Sequence, residues 1–174
     1  MTYSPAQNME LFVRSAPVPT LVPKGKQLAA AEALAGGDGR SFALVGSGSS
    51  MEPMYANGTA VVVNEQHYRT LRVGMPVVYR NSRGLYVAHM LLEELAGGWL
   101  VIGINNREPD EDLVTPSNLA GVITAAFASA DTPFRADVAA RVALRDGIDR
   151  SARVAMFSES KVGRQATAGG NFQP

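Results

Sequence analysis

From Ser41 onward the chain alternates short apolar runs with turn-forming residues. The runs are Phe42 to Val45, Ala60 to Val63, Pro76 to Tyr79, Leu85 to Leu92, Trp99 to Ile104 and Leu119 to Phe127. Between them lie Asn57-Gly58, Val73-Gly74, Asn81-Ser-Arg-Gly84, Gly97-Gly98 and Asn105-Asn106. β-Branched and aromatic runs at this spacing, punctuated by Gly and Asn, predict a mainly β domain over residues 41 to 128. The run Ala60-Val-Val-Val63 is continuous rather than alternating, so that strand is expected to be covered on both faces.

The flanks read differently. Residues 1 to 25 carry prolines at 5, 17, 19 and 23 with only short apolar pieces, which predicts an extended N-terminal arm. Gln27 to Leu34 has the propensity for about two helical turns, stopped by Gly36-Gly37, and completes a segment of residues 1 to 40. Beyond Asp131-Thr-Pro133, Phe134, Val138, Val142 and Ala143 recur at helical spacing, with Thr132 as the cap and Gly147 as an interruption. A second helical piece is expected over Ile148 to Phe157, its apolar stripe serving packing. The end, from Val162, has too little apolar content to fold alone, so residues 129 to 174 read as a helical segment and a tail.

Composition narrows the function. In 174 residues, 46% of them hydrophobic, one sizeable core can form, which fits one domain plus tails. The formal net charge is +0 and basic residues are scattered, so no field draws the chain to nucleic acid or anionic lipid. Cys is absent, which removes disulfides, thiolate metal sites and a Cys nucleophile. The two histidines, His67 and His89, are too few and too far apart for a zinc site, and no cofactor is called for. No run of about 18 apolar residues occurs, and the N-terminus lacks a basic head and apolar h-region, so a chain that is cytoplasmic or virion-associated, neither secreted nor membrane-spanning, is expected. Its partners are then a polypeptide substrate or neighbouring protein subunits in a homo- or hetero-oligomer.

The remaining chemistry concentrates in Val45-Gly-Ser-Gly-Ser-Ser-Met-Glu-Pro-Met54. Glycines at 46 and 48 permit unusual backbone angles and Pro53 fixes φ, which predicts a tight, exposed bend carrying Ser50. By itself such a Ser/Gly turn is equally an ordinary loop. Downstream come Leu71-Arg-Val-Gly74 with Pro76-Val-Val-Tyr79, then Leu85-Tyr-Val-Ala-His89, Val101-Ile-Gly-Ile-Asn-Asn-Arg-Glu-Pro-Asp110 and Leu119-Ala-Gly-Val-Ile123. This succession resembles the catalytic domain of the type I signal peptidase and LexA-like serine peptidase superfamily. The pattern there runs Ser-Met-x-Pro, two Gly-Asp turns each leading into a strand, a basic catalytic residue on the next strand, a Gly-Asp-Asn-like turn with a later Pro-Asp, and a closing Gly-Val-Ile-like strand. The resemblance covers about residues 42 to 125.

It implies a coiled, barrel-like β-sheet and a serine endopeptidase that favours small residues at the cleaved bond. Ser50 matches the nucleophile. Lys24, Lys26 and Lys161 all lie outside the matching region, so the lysine-based form is excluded, and His89 stands where histidine-using members carry their base. Imidazole accepts a serine proton near neutral pH without the desolvation that a lysine base needs. Asp110 matches the acidic residue that orients the imidazole, with Asp112 as second choice. The oxyanion donors implied are the Ser50 backbone N–H and the Ser49 or Ser47 hydroxyl. His67 reads as a loop residue.

Four positions depart from the pattern. Thr59, Met75 and Ile104 replace the aspartate of each Gly-Asp pair, and Met90 follows His89 where an arginine is usual. These replacements motivate a second reading, a catalytically silent peptidase-fold subunit of a large assembly such as a phage virion. Self-cleavage at Ala35-Gly36, a small-residue bond, is disfavoured by its short tether to Ser50.

Overall fold

The protein is described here by a computed structural model covering residues 2–37 and 39–147. The strands are β1 (Thr20–Val22), β2 (Ser41–Val45), β3 (Ala60–Asn64), β4 (Pro76–Arg80), β5 (Tyr86–Leu95), β6 (Gly98–Ile102) and β7 (Leu119–Ser129). They form one sheet in the order β2-β3-β7-β4-β5-β6, with β1 paired to β7. All pairs are antiparallel except β1 with β7. β7 is the middle strand. Along one edge it pairs with β3, and along the other it takes β4 at Leu119 to Val122 and then β1 at Phe127 to Ser129. The register slips between Val62 and Val63, between Val78 and Tyr79, and between Leu91 and Glu93. Extra residues of this kind bend a strand and increase its twist.

The apolar runs from 41 to 127 thus become strands close to the predicted limits. β5 goes further, to Leu95, because the exposed Glu93 and Glu94 continue the pairing with Leu100 and Trp99. The four apolar residues of β3 are all buried, as its unbroken run predicts. Val61 and Val63 enter the main core, while Ala60 and Val62 pack against Ala31 and Ala35 of helix α2 (Gln27–Ala35).

One expectation is corrected. The N-terminal segment is not an extended arm, because Pro5–Ser15 form helix α1. Pro5 sits in the first turn, where a missing N–H removes no intrahelical bond and the fixed φ suits the helix. The Ser4 hydroxyl accepts from the Gln7 N–H at 3.2 Å and Gln7 Oε1 accepts from the Ser4 N–H at 3.3 Å, a reciprocal cap. Met9, Phe12 and Val13, spaced along one face, are buried in the main core. The prolines at 17, 19 and 23 do hold the following chain extended, and β1 lies within it.

A third helix, α3, runs over 135–147, with the Thr132 hydroxyl accepting from the Phe134 N–H at 3.3 Å. Of its predicted stripe Val138 is buried, whereas Val142 is exposed. The expected helix over 148 to 157 and the tail from 162 lie outside the described residues. Among the described residues no helix is long and apolar enough to cross a membrane.

The Phe12 ring meets Tyr55 edge-on at 5.1 Å between centroids, inside the main core. Phe12→Ala is therefore expected to lower the unfolding free energy by about 3–5 kcal/mol in a urea titration. A loss below about 1 kcal/mol would mean that α1 does not pack there.

Candidate active site

β2 ends at Val45, and the chain leaves the sheet through Gly46-Ser-Gly48, where Gly48 takes φ +100°. The loop back to β3 closes on itself: the Gly46 N–H donates to Thr59 O at 2.8 Å, the Gly58 N–H to Gly46 O at 2.9 Å, and the Gly48 N–H to Asn57 Oδ1 at 3.2 Å. Met51, Met54 and Tyr55 are buried in the main core, and the Tyr55 hydroxyl donates to Pro17 O at 2.7 Å. The apolar side of the turn is thereby anchored. Ser50 lies on it half-buried, rather than on the exposed bend the sequence predicts.

The loop after β6 supports Ser50 from behind. The Asn105 N–H donates to Ser50 O at 2.8 Å, and Asn105 Nδ2 donates to Ser49 O at 3.3 Å. The segments approach so closely that a Cβ on Gly103 would stand 2.7 Å from Ser50 O and 2.9 Å from Ser50 Cβ. Helix α1 in turn clamps this loop. Asn8, fully buried, donates from Nδ2 to Ile104 O at 3.2 Å and to Asn106 O at 2.9 Å.

His89 comes from β5, opposite Val77 of β4. Its Nε2 lies 2.9 Å from Ser50 Oγ, and its Nδ1 lies 2.5 Å from Asp110 Oδ2. Asp110 is placed by its own N–H, which donates to Val101 O of β6 at 2.9 Å. The Tyr79 hydroxyl of β4 donates to the same Asp110 Oδ2 at 2.6 Å. Burial, then the Asp110 hydrogen bond and charge, hold the Tyr79 phenol far above its ordinary value, so it remains a donor. His89 and Tyr79 are buried, and Asp110 and Ser50 are half-buried, so the whole chain of contacts is largely shielded from solvent.

With the Asp110 carboxylate accepting at Nδ1, the ring proton resides there and Nε2 is left to accept from the Ser50 hydroxyl. This is the arrangement that makes a serine oxygen nucleophilic. It opens on a cleft of about 240 Å³ between β2, the Ser50 loop and the start of β5, walled by Leu44, Val45, Val78, Tyr86 and Ala88. The Ser50 N–H has no hydrogen-bond partner among the described residues.

Of the residues singled out in the sequence, the fold brings Ser50, His89 and Asp110 into one chain and sets Ser47 on the cleft wall. Ser49 is exposed and does not line the cleft; its carbonyl is held by Asn105 Nδ2 and the Glu52 N–H. Asp112 is turned away, its Oδ2 accepting from the Ser82 N–H and hydroxyl at 3.0 Å each. His67 is an exposed loop residue. Ala35 is buried at the end of α2 against β3, away from the cleft-lining set. Among the described residues no group of three or more His, Cys, Asp or Glu could hold a metal ion.

Sequence reasoning missed Tyr79 and Asn8. Tyr79 carried a readable signal, because two hairpin strands with Tyr79 two residues beyond the partner of His89 put both side chains on one face. Asn8 carried none, since its partners lie about a hundred residues away.

Comparison of the chain with protein-family models and with curated proteins finds no match.

Gly103→Ala is expected to push the Ser50 backbone out of line with His89. The rate of Ser50 modification by a fluorophosphonate should fall about 100-fold, with the far-UV circular dichroism unchanged. A rate within twofold of wild type would contradict the close approach.

Proposed function

We propose that the protein is a serine endopeptidase of the histidine-using, signal-peptidase-like kind, with the coiled β architecture of that superfamily. The observation that carries the reading is the continuous hydrogen-bonded chain from Ser50 through His89 to Asp110, beside a cleft of about 240 Å³. These three residues come from a loop, a strand and a second loop, in the family's order.

Ser50 Oγ attacks the scissile carbonyl as His89 Nε2 takes its proton, and the Asp110 carboxylate stabilises the imidazolium that forms. The developing oxyanion is met by the unpartnered Ser50 N–H, with the Ser47 hydroxyl as the second donor on the cleft wall. The imidazolium then protonates the leaving amine. Water, deprotonated by His89, hydrolyses the ester on Ser50 and restores the starting state. A cleft wall built from Val45, Val78 and Ala88 accords with small apolar residues next to the cleaved bond.

The alternative is a silent structural subunit of a large assembly, resting on the replaced aspartates. Thr59 and Ile104 are buried and Met75 is half-buried, and none is a hydrogen-bond partner of Ser50, His89 or Asp110. Met90, in place of the arginine, is fully buried in the main core. The departures therefore fall on packing positions and leave the reacting groups in line, which favours the enzyme.

The purified chain is expected to cleave members of a library of extended peptides with small residues flanking the bond. Ser50→Ala and His89→Ala should each lower kcat/KM by about 10³-fold or more, without additivity in the double variant. Turnover that survives Ser50→Ala, or a wild-type chain that neither cleaves the library nor reacts with a fluorophosphonate, would overturn the enzyme reading in favour of the silent subunit.

A further inference from the structure

Asp110 Oδ2 accepts from two sides, from His89 Nδ1 at 2.5 Å and from the Tyr79 hydroxyl at 2.6 Å. The Tyr79 hydroxyl has no other partner among the described residues, and its ring is buried among Leu71, Val77, Leu91, Trp99 and Val101. A phenol so enclosed needs an acceptor, and Asp110 is the one supplied. The ring cannot swing away without breaking into that cluster. Its O–H is consequently a rigid donor, whereas Asp110 sits in a loop.

We infer that Tyr79 is a positioning residue, which fixes the Asp110 carboxylate and takes up part of its charge so that His89 is oriented without being locked as imidazolium. The inference rests on the proposed peptidase reading and names a fourth member of that machinery, one that touches neither substrate nor Ser50. The physical reason is competition at one oxygen. Each donor to Oδ2 withdraws charge from the other, and in a shielded setting the effect on the imidazole is large. Without Tyr79 the whole carboxylate charge faces His89, which favours the protonated ring and leaves the carboxyl free to rotate.

Among the described residues the groups hydrogen-bonded to the ring are Asp110, from the loop after β6, at Nδ1 and Ser50 at Nε2, with Tyr79 of β4 on the far side of the carboxylate and Asp112 as a further charge near Tyr79. Burial and the Asp110 contact keep the Tyr79 phenol protonated.

Tyr79→Phe keeps the ring and removes only the hydroxyl. In NMR spectra of the full chain, the His89 titration midpoint should rise by about half a unit to one unit. The acid limb of the kcat/KM profile should move up with it, and kcat should fall about tenfold with KM unchanged. In an Asp110→Ala background the same substitution should shift neither quantity, because its effect passes through the carboxylate. An unchanged His89 midpoint in Tyr79→Phe, or an equal shift in the Asp110→Ala background, overturns the inference. The NMR arm needs no turnover, so a chain that cleaves nothing fails the peptidase reading while the coupling of Tyr79 to His89 is still decided.

Discussion

The site depends on one close approach, that of the loop after β6 to the backbone of Ser50. The contact exists because Gly103 has no Cβ to keep the two segments apart, and because the Asn105 N–H satisfies the Ser50 carbonyl once they meet. Ser50 is thereby referred to the same loop that carries Asp110, seven residues after Gly103. His89, on the rigid β5, closes the triangle. A serine, an imidazole and a carboxylate from three separate segments can hold hydrogen-bond distances only if those segments share a reference, and this contact supplies it.

Helix α1 makes that reference stiff. Asn8 donates to two carbonyls of the loop, and the Phe12 to Tyr55 contact ties the same helix to the buried side of the Ser50 turn. The arrangement is retained although the buried Asn8 Oδ1 has no hydrogen bond, a deficit of about 1–3 kcal/mol. Two carbonyls held in a largely apolar setting outweigh one acceptor left over. A segment that reads as peripheral is thus the brace behind Ser50. Gly74, whose Cβ would stand 2.7 Å from Leu11 O, lets the turn before β4 lie close against the same helix.

The four departures from the pattern that the sequence resembles fall in sheltered places. Thr59, Ile104 and Met90 lie in the interior, and Met75 is half-buried against the cluster that contains Leu71 and Leu91. A charged side chain at any of these sites would need a partner of its own. The acidic group that lies beside His89, Asp110, has two partners of this kind, His89 Nδ1 and the Tyr79 hydroxyl.

How much was legible in the chain follows from the range of the forces involved. The strands from β2 to β7 were readable because strand propensity and turn chemistry are local, and β3 declared its two-sided burial by an unbroken apolar run. Ser50, His89 and Asp110 could be nominated because their order and neighbours form a pattern along the sequence. Helix α1 was misread because a proline at N1 and a proline that breaks a helix look alike until the Ser4 and Gln7 cap is seen. Sequence by itself determined which groups can do chemistry and the sheet that carries them. Only the tertiary structure decided between Asp110 and Asp112, set Ser49 off the cleft wall, and brought in Tyr79 and Asn8. Those choices rest on contacts between residues far apart along the chain, and a hydrogen bond a few ångströms long is fixed by how strands and helices pack, not by spacing in sequence.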